Sequence, residues 1–225
     1  MATMHAPLTA RQSDRLQDWF LSDAGRAVLA SEEAMIGQAL ADRPGQPWLW
    51  CGPAPGGIAG EAPGGRGLCL APAGDGGWRG DVHCGLPLPL PSETFGAVVL
   101  QHVARPAGAR GPALLAEAAR LLVNGGRLWL LVLNPLAPYR WRWRGTGITA
   151  AEPLAWRRRL RTAGLEPDPV SYGLGPKWDV LPSAAAQLGP GLRAAYLLRA
   201  EKRAVPLTPV RQRRALPLAH GATVA

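Results

Sequence analysis

The sequence predicts an α/β fold with a mostly parallel sheet, and two apolar segments with a helix between them carry that expectation. Phe95–Leu100 (FGAVVL) and Arg127–Leu133 (RLWLLVL) are uninterrupted β-rich runs, as expected of strands buried on both faces. Between them, Pro112–Val123 places Leu114, Leu115, Ala118, Leu121 and Leu122 at helical spacing. Asn124-Gly125-Gly126 is expected to stop that helix with a left-handed cap. Strand, helix, glycine turn and strand in this order form a right-handed βαβ crossover, which makes the two strands parallel neighbours.

The flanking elements are read in the same way. Leu16, Trp19, Phe20, Ala24, Ala27, Val28 and the run from Ala34 to Leu40 predict one or two helices between residues 13 and 41, with Ser13 as the first cap. Trp48–Cys51 is a short apolar strand. Residues 51–80 hold 11 Gly and 4 Pro, so any helix there must be short or distorted. Thr149–Ala163 reads as a helix capped by Thr149 and ended by Gly164. Pro169–Leu174 and Gly191–Glu201 are expected as the last two strands.

Composition narrows the class. The 225 residues fit one domain, and 47% hydrophobic content is too high for a disordered chain. Three cysteines do not suggest a disulfide scaffold. No secretory signal is visible, and the most apolar run, Leu128–Leu133, is far short of the ~20 residues that span a bilayer. A soluble, cytoplasmic protein is expected. We divide the chain into a flexible N-terminus (1–12), one domain (13–204) and a disordered basic tail (205–225). The net charge of +9 is uneven: residues 1–139 carry 10 Arg and 11 acids, whereas residues 140–225 carry 13 Arg, 2 Lys and 5 acids.

The stretch Leu86–Pro135 resembles the type 11 methyltransferase domains of bacteria. The residues concerned are LPLPLPSETFGAVVLQHVARP, then LLAEAARLLVNGGRLWLLVLNP. The opening LQDWFLSDAGRAVL and the closing EKRAVPLTPVRQRR are similar to the YafS-type group of that superfamily. The resemblance implies a class I fold, a Rossmann-like seven-stranded mostly parallel sheet with flanking helices. It also implies S-adenosyl-L-methionine (SAM) as cofactor and methyl transfer to an unknown acceptor.

In such a sheet the ligand sits beyond the carboxyl ends of the strands, where strand order reverses. By resemblance, the glycine loop is Gly52-Pro53-Ala54-Pro55-Gly56, with Gly52 and Gly56 retained and Ala54 at the middle glycine. Trp50 replaces the acid before that loop. The ribose-binding acid falls on Cys69, and the adenine-side acid near Cys84, just before Leu86. Gln101 and His102 sit where the fourth strand ends, facing the reactive methyl. Only 14 residues separate Cys69 from Cys84, so the first half is expected to be shortened and SAM binding weakened.

Several residues admit two readings. His102 is a general base, or a strand-end residue that only hydrogen-bonds the sheet edge. Cys51, Cys69 and Cys84, with His83, form a metal or thiol site at one sheet edge, or serve as small apolar filler. Asn134-Pro135 reads as a structural turn. Tyr139-Arg140-Trp141-Arg142-Trp143-Arg144 either meets an anionic partner (nucleic acid or an acidic surface) through Arg140, Arg142 and Arg144, or forms a lid with Trp inward. In the first case Arg211, Arg213 and Arg214 of the tail add reach. The alternative to an enzyme is a methyltransferase-fold module that has lost SAM and acts through its basic C-terminal region.

Overall fold

The computed structural model describes residues 17–53 and 66–203. The expected cap at Ser13, flexible N-terminus at 1–12 and basic tail after 204 lie outside the described residues, as do Ala54, Pro55 and Gly56.

Eight strands form one sheet: β1 (Trp48–Cys51), β2 (Gly67–Pro72), β3 (Trp78–Gly80), β4 (Phe95–Gln101), β5 (Leu122–Leu133), β6 (Leu165–Leu174), β7 (Gln187–Leu188) and β8 (Ala195–Lys202). Their order is β3-β2-β1-β4-β5-β8-β6-β7. The pairs β1–β2, β1–β4 and β4–β5 are parallel. The β8 strand lies antiparallel between β5 and β6, so β6 runs in the same direction as β5. The sheet is mostly parallel, as expected, with the two-residue β7 as an eighth strand beyond the seven anticipated. Strand order reverses at β1, between β2 and β4, and that reversal opens the crevice where ligands of such sheets bind.

Three helices cover the sheet: α1 (Asp23–Ala41), α2 (Arg110–Leu121) and α3 (Pro153–Thr162). Side chains of a strand alternate between faces, and each face finds its own cover. Leu49, Cys51, Val98, Leu100, Leu128 and Leu130 pack toward α2 and α3 through Leu114, Leu115, Trp156 and Leu160. Trp48, Trp50, Ala97, Val99, Trp129 and Leu131 pack toward α1 through Ile36, Ala39 and Leu40. Among the described residues no helix is long and apolar enough to cross a membrane.

Three local expectations are corrected. The helix α2 ends at Leu121, and Leu122 is already extended and paired with Phe95. Asn124-Gly125-Gly126 therefore forms an irregularity inside β5, where Gly125 does take a positive φ of 76°, rather than a helix cap. The cap of α3 is Glu152, not Thr149, because Pro153 at the first helical position fixes the start. Residues 17–21 form a separate helical turn, and Ser22 caps α1 by accepting the Gly25 N–H.

The shortened half is visible in the topology. After β2 the chain makes a tight turn through Asp75-Gly76-Gly77 and returns antiparallel as β3. Cys84 then pairs with Trp78 through two backbone hydrogen bonds of 2.7 and 3.0 Å. A hairpin thus stands where a crossover helix and a further parallel strand would need more than the 14 residues present.

A candidate active site at the carboxyl edge of the sheet

His102 follows β4 directly. Its backbone adopts φ +56°, a left-handed conformation that costs a non-glycine residue of order 1 kcal/mol. The Leu131 carbonyl holds the His102 N–H at 2.9 Å, and Phe20 stacks on the imidazole with centroids 4.6 Å apart. Such a conformation at a strand end turns the ring back under the sheet edge instead of out to solvent.

Glu32 meets it there. This carboxylate on α1 is fully buried, and both its oxygens lie 3.0 Å from Nε2 of His102. The Gln101 amide donates to the same carboxylate at 2.8 Å, while its oxygen accepts the Trp50 indole N–H at 3.2 Å. With Glu32 as the carboxylate and the imidazole neutral, Nε2 donates and Nδ1 is the acceptor nitrogen. Nδ1 is buried and has no partner among the described residues. His102 lines a cavity of about 30 Å³ shared with Arg105, Val132, Thr149 and Trp156.

Glu32 was missed from the sequence, although the signal was present. Val28, Glu32 and Ile36 recur four apart on the apolar stripe of α1, and an acid on such a stripe needs a buried partner. Gln101 makes one hydrogen bond from each end of its amide and so positions Glu32 and Trp50. Trp50, standing where the resemblance expects an acid, joins this same network.

A larger cleft of about 330 Å³ opens beside it, bounded by the ends of β1, β2 and β4. Pro53, Pro72, Trp78, Leu86, Val103 and Leu114 give it apolar walls, and Arg105 and Arg110 supply its charge. Leu86, placed by resemblance near the adenine, lines this cleft. Gly52 adjoins it, but a side chain there would run into the Trp50 ring, with Cζ2 only 1.9 Å from the added Cβ. Its missing side chain therefore makes room for Trp50.

The cysteines do not gather. Cys69 lies in the middle of β2, on the α1 face with Trp48 and Trp50, not after the strand as the ribose position requires. Cys51 ends β1 on the opposite face, and Cys84 packs on that face with its backbone tied to Trp78. Burial pushes the Cys51 and Cys84 thiols up; burial and the neighbouring Asp81 charge do the same to Cys69. Held as thiols, they are weak nucleophiles. His83 instead sits 3.2 Å from Asp75, the acid of the β2–β3 turn, which also accepts the Gly77 N–H.

Asn134 is a structural turn residue, donating to the Gly191 and Arg193 carbonyls at 3.0 Å. Pro138–Arg142 forms a 3-10 helix that buries Tyr139, with Trp143 next to it also buried, while Trp141 is 63% exposed under the Arg144 guanidinium. The Arg-Trp stretch is therefore divided, with Trp143 turned inward and Trp141 outward.

No protein-family model and no curated protein matches the sequence. Solved structures do match. A SAM-dependent methyltransferase of Thermotoga maritima superposes with a TM-score of 0.57 at 16% identity, over 86% of this chain and 98% of that one. The 1,6-didemethyltoxoflavin-N1-methyltransferase of Burkholderia thailandensis, solved with S-adenosylhomocysteine, gives 0.53 at 18% identity over 91% and 93%. The chain has the class I methyltransferase fold. The same fold likeness extends to the [4+2]-cyclase SpnF, with a TM-score of 0.54 at 15% identity over 77% of this chain and 80% of that one. A class I methyltransferase fold is thus compatible with more than one activity.

Proposed function

We propose that the protein is a SAM-dependent methyltransferase, with the cofactor in the cleft of Pro53, Pro72, Trp78 and Leu86 and the acceptor beside His102. The observation that carries this reading is the buried Glu32–His102 pair at the end of β4, with Nδ1 of His102 unpartnered among the described residues and His102 lining a small cavity. The apolar walls of the cleft fit the adenine end of the cofactor. The ribose end finds no carboxylate at Cys69, and we propose that affinity for SAM is weaker than micromolar.

Bound SAM supplies an electrophilic methyl group. Nδ1 of His102 accepts the proton of an O–H or N–H acceptor as that methyl is transferred. Glu32 fixes the tautomer and stabilises the ring as it becomes an imidazolium. Phe20 and Trp156 exclude water on either side, and the rest of the rate comes from holding acceptor and methyl in line. The finer placement in the YafS-type group rests on the opening LQDWFLSDAGRAVL and the closing EKRAVPLTPVRQRR, and a cytoplasmic location is proposed with it. Calorimetry with S-adenosylhomocysteine on the full chain, paired with labelled-methyl transfer to fractionated small molecules, tests the reading. Absence of binding at millimolar ligand overturns it.

A second reading is a module without methyl transfer that acts through its basic C-terminal region. It is favoured by the missing ribose carboxylate and by the exposure of Trp141 beside Arg140, Arg142 and Arg144. Arg142 also reaches the backbone of Trp178, itself 67% exposed. Salt-sensitive binding of labelled RNA, DNA or anionic vesicles, lost on changing these three arginines to Ala, is its expected signature.

A further inference from the structure

The charge in the larger cleft has the wrong sign for the pattern the fold suggests. The resemblance implies a ribose-binding acid after β2, whereas the cleft presents two guanidinium groups, Arg105 after β4 and Arg110 at the start of α2. No carboxylate of the described residues forms an ion pair with either one. Arg105 is half-buried, and burial together with the Arg110 charge works against its protonated form. Two cations facing one cleft, one of them half-buried, repel each other, and an anion between them relieves that repulsion.

The backbone around them adds to the positive field. The 12-residue helix α2 starts at the cleft wall, and its N-cap, Ala109, has no side chain able to cap it. The first intrahelical bond is donated by Ala113, and Pro112 has no N–H, so the N–H groups of Arg110 and Gly111 point out of the helix start uncapped. Across the cleft, the Arg110 guanidinium lies over Gly76, where an added Cβ would sit 2.4 Å from Nη2. Gly76 has φ +89°, so the turn both requires glycine and leaves a shelf for the guanidinium. The remaining walls, Pro72, Trp78, Leu86 and Leu114, are apolar.

We infer that this cleft holds a small organic anion, with a phosphate or carboxylate between Arg105 and Arg110 and an apolar body against Trp78 and Leu86. The inference shares the cleft with the proposed cofactor site but does not depend on methyl transfer. The anion has two sources: a separate phosphate-bearing ligand, or the carboxylate of the cofactor's own amino-acid end.

Calorimetry on the full chain with two matched pairs separates them. Adenosine monophosphate against adenosine differs by a phosphate; S-adenosylhomocysteine against methylthioadenosine differs by the amino-acid end. In at least one pair the anion-bearing member is expected to bind about tenfold tighter or more, with the advantage shrinking as salt rises. Arg110→Gln, at an exposed position, is expected to reduce that advantage without moving Tm, and adding Arg105→Gln to abolish it. A preference for adenosine monophosphate without binding of S-adenosylhomocysteine supports the inference while removing the cofactor reading. Equal binding within both pairs, no binding of any of the four, or an advantage untouched by the arginine substitutions overturns the inference. In the first of these cases the cofactor reading survives.

Discussion

On one side of β1 lie the long strands β4, β5, β8 and β6, and on the other the short strands β2 and β3, joined by a glycine-rich turn. Every residue of β4 is buried, and β5 and β8 pair along seven consecutive residues. By contrast, β2 is half-buried over its first three residues, and β3 exposes two of its three. The long side holds the buried Glu32–His102 pair, most of the core and the two cleft arginines, Arg105 and Arg110; the short side supplies the wall of Pro72, Gly76, Gly77 and Trp78. Core burial and the charged groups thus belong to the long half, and the short half shapes the space they face. The short half can lose acids, a helix and a strand while the long half still closes the fold.

The sharpest break in this comparison would come at His102. If the reading of the site holds, His102→Gln lowers the methyl-transfer rate about 10²–10⁴-fold, while S-adenosylhomocysteine affinity in the neighbouring cleft is unchanged. Loss of both together would mean that the two spaces are one site. Next comes its partner. Glu32→Ala strands a buried imidazole and amide and is expected to cost about 3–5 kcal/mol in urea unfolding, with Glu32→Gln costing less because the volume is kept. A negligible cost would show that the pair is accessible to water.

The two sides can then be weighed directly. Leu130→Ala in the fully buried β5 core is expected to cost about 2–5 kcal/mol, and Leu68→Ala in β2 less than about 1.5 kcal/mol. Equal costs would erase the distinction. A different measure concerns Glu117 of α2, which accepts from Arg120 at 2.7 Å and from the Leu88 N–H at 2.7 Å. The Arg120 hydrogen bond, aided by the Leu88 N–H and opposed by burial, holds its carboxyl below the usual range. A lowered folded-state pKa contributes stability that is present above the ordinary glutamate value and lost as pH falls through the folded value. Glu117→Gln should therefore cost about 1.5–3 kcal/mol at pH 7. The variant should also flatten the acid limb of a pH–Tm curve.

What the sequence made legible follows the same division. FGAVVL and RLWLLVL could be read because strands buried on both faces need unbroken apolar runs, and the helix between them carried a clear period. The β2–β3 hairpin could not, since five of residues 67–80 are glycine and its apolar residues show no sustained alternation, and its only warning was that the 14 residues between Cys69 and Cys84 are too few for a helix and a strand. His102 and Gln101 were placed correctly at the end of the fourth strand, because that position follows from the strand itself. Their roles depend on Glu32, some 70 residues earlier, and only the packing of α1 on the sheet brings it there. Cys69 was misplaced because a glycine-rich segment gives no register.

The helix α2 has a mechanical consequence. Its first residues carry Arg110 to one wall of the cleft, and its last turn grips the Leu88–Ser92 segment, where Arg120 donates to the Leu88 and Leu90 carbonyls and to Ser92. Leu86, on the wall that meets Trp78, sits two residues before that grip. Twelve residues at 1.5 Å each make a strut of about 18 Å, with Arg110 at the cleft on one end and, on the other, Arg120 tied to the segment that follows Leu86 of the cleft wall. A ligand that displaces either wall therefore pulls on the other through the helix.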